Sequence, residues 1–247
     1  MARWSTIDKR QIAPCSPTGG TVGFEGKPKF VSFDMNGTLI HFRINEVIPR
    51  VLGDRLPAEI TGDFLRTGNQ FRIDECMGEW KPFHQVVAHS LERTMRWFGL
   101  EYREGDGQAV YDEIPTWGPF PGVSEALRRL AEEYPLVIVT NSDDVHASRL
   151  VENLQAPFDV VISAEQMGVY KPRLRAFEYM LDKLGVAPDE IVHVSASPKY
   201  DLRPAADIGI EHKVFMDRGF EPDHPWLGYE RITDIADLPV LLGLPRP

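Results

Sequence analysis

The residues of this chain that could do chemistry begin with a carboxylate, Asp34, in the stretch Val31-Ser-Phe-Asp-Met-Asn-Gly-Thr-Leu-Ile40. A short apolar run that ends in a turn is typical of a buried parallel strand, and Gly37 lets the backbone turn there. A carboxylate at the carboxyl end of such a strand lies where open α/β sheets bind ligands. The alternative is an aspartate that only caps the next element.

Three further polar groups follow apolar runs in the same way. Thr140-Asn141-Ser142 follows one run, Lys171 comes after the next, and Ser195-Ala-Ser-Pro-Lys-Tyr-Asp201 follows a third. An ammonium beside Asp34 would keep that carboxylate ionised and hold an anionic substrate. At about 4 Å and an effective dielectric constant of about 20, such a pair interacts by roughly 4 kcal/mol. The alternative for Lys171 is a solvated surface side chain.

The elements that must position these residues alternate between strand and helix. Apolar runs predict strands near residues 29–34, 136–139, 160–162, 191–194 and 213–216. Such alternation indicates a parallel sheet with right-handed crossovers. Residues 42–115 lack the strand pattern and have helical periodicity, which predicts a helical block after the first strand. A second helical packing layer is one interpretation of this block. Ser124 is the expected N-cap of a helix that follows them.

The composition limits the classes of partner. The 247-residue chain has a formal net charge of -10, which argues against nucleic acid or an anionic membrane as the main partner. Cys15 and Cys76 lack neighbouring ligand residues and are expected to be free thiols in a reducing compartment. With no bilayer-spanning apolar run and no signal-peptide core, the sequence predicts a soluble, cytoplasmic protein.

The pattern Phe-Asp-x-x-Gly-Thr-Leu, at residues 33–39, resembles the first motif of the haloacid dehalogenase (HAD) superfamily, Asp-x-Asp-x-Thr. The resemblance implies that Asp34 is the nucleophile. It also implies an α/β fold, a HAD-like doubly wound parallel sheet (a Rossmann-like core) with a helical cap domain inserted after the first strand. The implied domains are a flexible N-terminal arm at residues 1–28, a core formed by residues 29–41 and 116–247, and a cap at residues 42–115.

HAD phosphatases carry further carboxylates that this chain lacks. Their second aspartate, a general acid, is replaced by Asn36, which cannot exchange a proton as a carboxyl can. Ser195 and Ala196 replace the Gly-Asp of their fourth motif, and Asp201 is retained. Because Mg²⁺ prefers several hard oxygen ligands, we expect no metal and no other cofactor. Phosphatase activity is therefore the third choice.

The remaining motifs resemble the L-2-haloacid dehalogenase branch, which is metal-free. Thr140-Asn141 and Val169-Tyr-Lys-Pro172 correspond to its second and third motifs. With one inserted residue, its Ser-Ser-Asn-x-Trp-Asp corresponds to Ser195, Ser197, Tyr200 and Asp201. The chain departs from the branch at Asn36, where relatives have Tyr or Phe, and at Phe177, where they have Tyr. The branch also has a substrate-binding arginine in its cap; Arg66 is our first candidate, with Arg72 and Arg43 as alternatives.

The resemblance implies a mechanism and a substrate class. Asp34 attacks a carbon of a small 2-substituted carboxylic acid and forms an aspartyl ester, which water then hydrolyses. Lys171, Asp201 and Asn36 complete the expected catalytic set; Asp201 would orient Lys171 or activate water, and backbone N–H groups of Met35 and Asn36 would stabilise the oxyanion. The expected substrate-binding residues are Met35, Thr38, Thr140, Asn141, Ser195, Ser197 and Arg66.

Four functions are open at this point. The first is a 2-haloacid dehalogenase, and the second is a carbon–nitrogen hydrolase, since the enzyme that opens L-azetidine-2-carboxylate is similar to this branch. An arginine at the leaving group favours halide, whereas an acid or amide there favours the amine; the candidates are Asp74, Glu75 and Asn69. A phosphatase and a catalytically silent binding protein follow. The expected partners are a small carboxylate and water, and relatives that are often dimers favour a homodimer.

Overall fold

Six parallel strands form one sheet in the computed structural model, which describes residues 27–246. Their order across the sheet is β3-β2-β1-β4-β5-β6. The strands are β1 Phe30–Phe33, β2 Leu136–Val139, β3 Val160–Ile162, β4 Ile191–Ser195, β5 His212–Met216 and β6 Glu230–Ile232. Of the predicted N-terminal arm, residues 1–26 lie outside the described residues.

Ten α-helices accompany the strands within residues 27–246. They are α1 Ile44–Leu52, α2 Thr61–Met77, α3 Phe83–Trp97, α4 Asp106–Glu113, α5 Val123–Ala131, α6 Asp144–Leu154, α7 Ala164–Met167, α8 Leu174–Leu184, α9 Arg203–Asp207 and α10 Asp237–Leu241. The sequence did not predict α4, α7 or β6, which are short or carry little apolar periodicity. A single turn of π-helix, Pro198–Leu202, precedes α9.

The strand order places a topological switch at the middle of the sheet. The chain moves from β1 through β2 to β3 on one side, and then returns so that β4 pairs with the other side of β1. In doubly wound sheets, ligands bind outside the carboxyl ends of the strands at such a point. The residues that follow β1 and β4 are therefore adjacent, and they include Asp34 and the segment that ends at Asp201.

Four helices, α1–α4, lie between β1 and β2 in the chain, and they are packed on the sheet. One apolar cluster joins Leu39 and Ile40, which follow β1, to Val47 of α1, Phe64 of α2 and Val110 of α4. Each of these side chains is at most 3% exposed. This shared core fixes the position of α1–α4 over the segment that follows β1, while the division into a core and a cap domain stays a prediction.

The predicted N-cap of α5 is wrong. Gly122 holds that position with φ +76°, and no side chain caps the helix; Ser124 lies inside its first turn. The linker Trp117-Gly-Pro-Phe-Pro-Gly turns at Gly122, two residues before Ser124, because a glycine adopts this backbone conformation without strain. Among residues 27–246, no helix combines the length and the apolar character that crossing a membrane requires.

Candidate active site

Lys171 is the centre of the polar cluster at the switch point. Its ammonium donates to Asp34 Oδ1 at 2.9 Å, to Asp201 Oδ1 at 2.6 Å and to the carbonyl of Val139 at 2.8 Å. Because an ammonium has three hydrogens, these bonds use all of them. The side chain is 1% exposed, so its charge is held in one place and is matched by two carboxylates.

Asp34 follows β1 directly and is held through both of its oxygens. Its backbone N–H donates to the carbonyl of Val194 in β4, and the Thr38 hydroxyl donates to Oδ2 at 2.6 Å. Thr38 Oγ1 in turn accepts from the N–H of Ala196 at 2.9 Å. Gly37, with φ +89°, makes the turn that brings Thr38 back to Asp34. The carboxylate is therefore oriented by β1 and β4 together and keeps 8% exposure.

Asn141 positions Lys171 through its backbone. The Asn141 amide accepts from the N–H of Lys171 at 2.8 Å and donates to its carbonyl at 2.9 Å. The sequence analysis expected Asn141 to bind substrate; in the structure both ends of its amide are bonded to the Lys171 backbone. The neighbouring Thr140 hydroxyl accepts from the N–H of Ser142 at 3.1 Å and is 1% exposed.

Asn36 lies two residues after Asp34 and bonds Ser142 from the next loop. Its Nδ2 donates to the Ser142 hydroxyl at 3.0 Å, while Oδ1 is buried without a partner among the described residues. Either orientation of the amide leaves one polar end free, since the two ends differ only in donor or acceptor character. The side chain next to the expected nucleophile thus has one unused hydrogen-bonding group.

The segment after β4 carries Asp201 on a turn that its serines close. Ser197 Oγ accepts from the N–H of Tyr200 at 3.2 Å, and Ser195 Oγ accepts from the N–H of Ser197 at 2.9 Å. Both predicted substrate-binding serines therefore support the backbone of the turn. Asp201 is fully buried. Its Oδ1 accepts a hydrogen bond from the Lys171 ammonium and lies 3.1 Å from His193 Nε2, whereas its Oδ2 has no partner among the described residues.

Burial and charge act in opposite directions on the three central groups. Burial raises the pKa of Asp34, and the Asp201 charge reinforces this against the opposing Lys171 ammonium, so the pKa lies above its ordinary value. Burial also raises the pKa of Asp201, but Lys171 and His193 outweigh it and hold that pKa below its ordinary value. Burial lowers the pKa of Lys171, and the two carboxylates outweigh this and raise it. Asp34 is therefore the carboxylate of the pair that protonates first as pH falls.

The structure does not bring Arg66 to this cluster. Its side chain is 69% exposed on α2 and pairs with Asp63 one turn earlier. Arg43 is similarly exposed and pairs with Glu46. Arg72, also on α2, stacks at 4.7 Å over Phe42. Its positive charge opposes the rise that burial causes in the pKa of Tyr200, so Arg72 lies close to the segment that ends at Asp201.

The other polar candidates of the helical segment have partners there. Asp74 pairs with Arg93, and Glu75 is buried between Lys81 and Arg93. Asn69 accepts a hydrogen bond from Arg72. Of these three candidates, Asn69 is therefore the one that lies beside Arg72 on α2. Met35 is fully buried, and its carbonyl accepts from the N–H groups of the turn at residues 38–40.

Sequence reasoning missed two side chains that complete the cluster. Ser142 receives the Asn36 bond, and His193 contacts Asp201 from within β4. A signal for His193 was present, since a histidine interrupts the otherwise apolar run Ile191-Val-His-Val194. A buried polar residue in a central strand requires partners, but the sequence alone does not say which ones.

The side chains at the switch point do not fit the Mg²⁺ site of HAD phosphatases. Such an ion needs several oxygen ligands, preferably carboxylates. Here Asn36 and Ala196 stand at two of the acidic positions. Within residues 27–246, no three or more His, Cys, Asp or Glu side chains are grouped so that they could hold a metal ion.

Comparison with known proteins agrees with the fold. The (S)-2-haloacid dehalogenase 4A of Burkholderia cepacia is 26% identical over 171 residues, which cover 68% of this chain and 74% of that protein. The phosphoserine phosphatase of Thermus thermophilus is 34% identical over 176 residues, covering 66% and 67%. The structure of L-2-haloacid dehalogenase from Xanthobacter autotrophicus with chloropropionic acid covalently bound superposes with a TM-score of 0.69, at 22% identity, and covers 87% of this chain and 98% of that one.

These relatives confirm the predicted α/β, HAD-like fold class, and the presence of 2-haloacid dehalogenases among them agrees with the predicted branch. The model of the family described as haloacid dehalogenase-like hydrolase matches residues 28–209, more than half of the sequence. The chain thus belongs to the haloacid dehalogenase-like hydrolases.

Proposed function

We propose that this protein is a metal-independent 2-haloacid dehalogenase in which Asp34 displaces halide from carbon. The observation that carries the proposal is the ammonium of Lys171, bonded to Asp34 and Asp201. It supplies a fixed positive charge beside Asp34, while Asn36 and Ala196 stand where phosphatases of this family carry acidic groups of their Mg²⁺ site. A single fixed charge suits a carboxylate substrate with a halide leaving group better than a phosphoryl dianion.

The reaction has two steps. An Asp34 oxygen attacks the carbon that carries the halogen, the carbon–halogen bond breaks with its electron pair, and an aspartyl ester forms. Water then attacks the carbonyl carbon of Asp34 and gives one proton to Asp201, and the hydroxy acid leaves with that proton. The carboxyl group of Asp34 releases the second proton of the water to solvent, which restores its carboxylate. The free Oδ2 of Asp201 supports its role as the acceptor. Helices α1–α4 would exclude bulk water from the first step.

A carbon–nitrogen hydrolase is the second candidate, and Asn36 is the observation that favours it. One end of the Asn36 amide is free beside Asp34. Halide needs no hydrogen-bond acceptor, whereas an ammonium leaving group such as the nitrogen of azetidine-2-carboxylate would use one. The same displacement at carbon would then open a ring.

The first experiment measures halide release from racemic 2-chloropropionate by purified protein in EDTA. We expect release to stop at about half of the substrate, as for a stereospecific enzyme, and to be unaffected by added Mg²⁺. Release of no halide together with opening of azetidine-2-carboxylate would select the second candidate. Phosphate release from phosphoserine that requires Mg²⁺ would contradict both, and the relative from Thermus thermophilus makes this a necessary control.

The Asp34→Asn variant tests the nucleophile. An amide is a far weaker nucleophile than a carboxylate, so we expect turnover to fall by more than about 10³-fold while the far-ultraviolet circular dichroism stays that of the folded protein. Asp189→Asn, an exposed aspartate, is the matched control and is expected to keep full activity. An Asp34→Asn protein with wild-type turnover would refute the assignment.

A further inference from the structure

His193 is a fully buried histidine that the two-step mechanism above does not use. It lies in the middle of β4 at 0% exposure, with Nε2 3.1 Å from Asp201 Oδ1 and Nδ1 2.8 Å from the hydroxyl of Ser32 in β1. Phe177 of α8 contacts the ring edge to face, with ring centres 5.5 Å apart. The ring is thus held on both of its nitrogens and on one face.

The hydrogen bonds define where the ring carries its proton. An ionised Asp201 only accepts hydrogen bonds, so His193 must donate from Nε2. With that hydrogen in place, Nδ1 is an acceptor, and the Ser32 hydroxyl can donate to it; the same hydroxyl also lies 3.1 Å from the carbonyl of Val192. Ser32, His193 and Asp201 therefore form a chain of bonds that ends on one oxygen of the carboxylate.

The same three residue types form the triad of serine hydrolases, but here they cannot act as one. Ser32 is 0% exposed and belongs to the central strand of the sheet, so its hydroxyl cannot meet a substrate. The Ser32 hydroxyl instead holds the imidazole ring of His193 in place.

Asp201 Oδ1 receives two donors, and Oδ2 receives none among the described residues. If Lys171 were the only donor, the Asp201 carboxylate could rotate, since either of its oxygens can accept a hydrogen bond from the ammonium. A second donor from a different direction removes that freedom, because His193 is fixed within β4 by Ser32 and Phe177. The bond from His193 therefore decides which oxygen stays free.

We propose that His193 is a positioning residue for ester hydrolysis: it fixes Asp201 so that Oδ2 remains free to accept the proton of the attacking water. This inference rests on the proposed two-step function. It assigns His193 to the second step alone, since formation of the ester breaks the carbon–halogen bond without moving a proton. The histidine keeps its own proton on Nε2 throughout.

The test separates the two steps in His193→Phe, which keeps an aromatic ring against Phe177 and removes the donor. With 2-chloropropionate, the first-turnover release of halide is expected to stay within about threefold of the wild type. Hydrolysis is expected to slow by about 10- to 100-fold, the effect typical of removing an orienting partner. The ester on Asp34 then accumulates and is seen by mass spectrometry of the quenched protein.

Two further variants guard against a trivial loss of structure. His193→Gln keeps an N–H donor and is expected to hydrolyse the ester much faster than His193→Phe. Ser32→Ala removes only the hydroxyl that holds the imidazole ring, and it is expected to accumulate less ester than His193→Phe. The acid limb of the hydrolysis step should also shift to higher pH in His193→Phe, because His193 helps to hold down the pKa of Asp201.

Equal slowing of both steps in His193→Phe, or failure of His193→Gln to recover hydrolysis in a folded protein, would overturn the inference and leave the dehalogenase proposal intact. Absence of both halide release and ester in the folded wild-type protein would instead overturn the proposed function, and the inference with it.

Discussion

At the scale of single residues, one buried ammonium holds two carboxylates of different character. Lys171 bonds both, but Asp34 lies at the exposed edge of the cluster and Asp201 is fully buried with His193 as a second donor. Two titratable groups whose pKa values are moved apart by their surroundings are typical of an acid–base pair with distinct tasks. The two tasks proposed above, attack by Asp34 and proton transfer by Asp201, thus fall on carboxylates with different surroundings.

The first prediction concerns the acid limb of the pH profile. The reactive form of Asp34 is the carboxylate, and its pKa is raised, so activity is present at neutral pH and is lost as pH falls through that raised pKa. The midpoint of kcat/KM for dehalogenation should therefore lie above the ordinary value of about 3.9. Circular dichroism at each pH checks that the protein stays folded, and a midpoint at or below about 3.9 would contradict the prediction.

The second prediction compares two arginines of α2. Arg72 stacks on Phe42, close to the segment that ends at Asp201, whereas Arg66 pairs with Asp63 at the surface. If Arg72 binds the substrate carboxylate or the leaving group, Arg72→Gln removes a hydrogen bond to a charged group and lowers kcat/KM by about 10- to 100-fold. Arg66→Gln is the matched control and is expected to be neutral. A larger effect at Arg66 would restore the assignment made from sequence.

At the scale of secondary-structure elements, close packing of α3 against α4 fixes the helical segment. A Cβ added at Gly107 of α4 would lie 2.6 Å from the Cα of Ala88 in α3 and 2.9 Å from the Tyr102 hydroxyl. Only a glycine allows the two helices to approach this closely. The contact explains why α4 forms although its short sequence carries little apolar periodicity.

The third prediction follows from that contact. Gly107→Ala forces backbone atoms apart, so we expect the free energy of unfolding to fall by about 1–3 kcal/mol, even though alanine favours a helix by about 1 kcal/mol. Gly62→Ala in α2 meets nothing within 4 Å and is expected to be neutral or stabilising. Urea unfolding of the two variants measures the difference. Equal stability of both would show that α3 and α4 are not held at this distance.

At the scale of the whole molecule, hydrogen bonds and ring stacking join the helical segment of α1–α4 to the loops that follow the strands. Tyr111 of α4 donates to Asp143 Oδ2 at 2.5 Å and stacks on His146 of α6 at 4.0 Å. Tyr170, next to Lys171, donates to the carbonyl of Lys81 at 2.8 Å. These bonds join the helical segment to the loops that follow β2 and β3.

The fourth prediction tests the Tyr111 contact. Tyr111→Phe keeps the stacking on His146 and removes a hydrogen bond to a carboxylate, which is worth about 1.5–3 kcal/mol, so the free energy of unfolding should fall by about that amount. Tyr179→Phe is the matched control, because its ring packs on the core and lies beside Lys183, while its hydroxyl makes no hydrogen bond to another described residue. A Tyr111→Phe protein as stable as the control would show that the contact does not hold the segment.

Most of the core fold was predictable because apolar strands and their helices are local patterns. Strands β1 to β5 lie within about one residue of the predicted bounds. Asp34, Lys171 and Asp201 could be proposed together because the carboxyl ends of parallel strands meet at one edge. The helical segment was harder to predict. The side of α2 that faces the sheet decides which arginine lies near the segment that ends at Asp201, and α2 lacks a clear apolar stripe that would predict this side.

The sequence by itself determined the order of strands and helices, the family and the residue types at the switch point, because these depend on neighbours in the chain. Only the tertiary structure decided how those residues share their bonds. It assigned Asn141 to the Lys171 backbone, brought Ser142 to Asn36 and placed His193 against Asp201. The physical reason is that a buried polar group is satisfied by whichever partner the fold brings within hydrogen-bond distance, and that partner is usually distant in the chain.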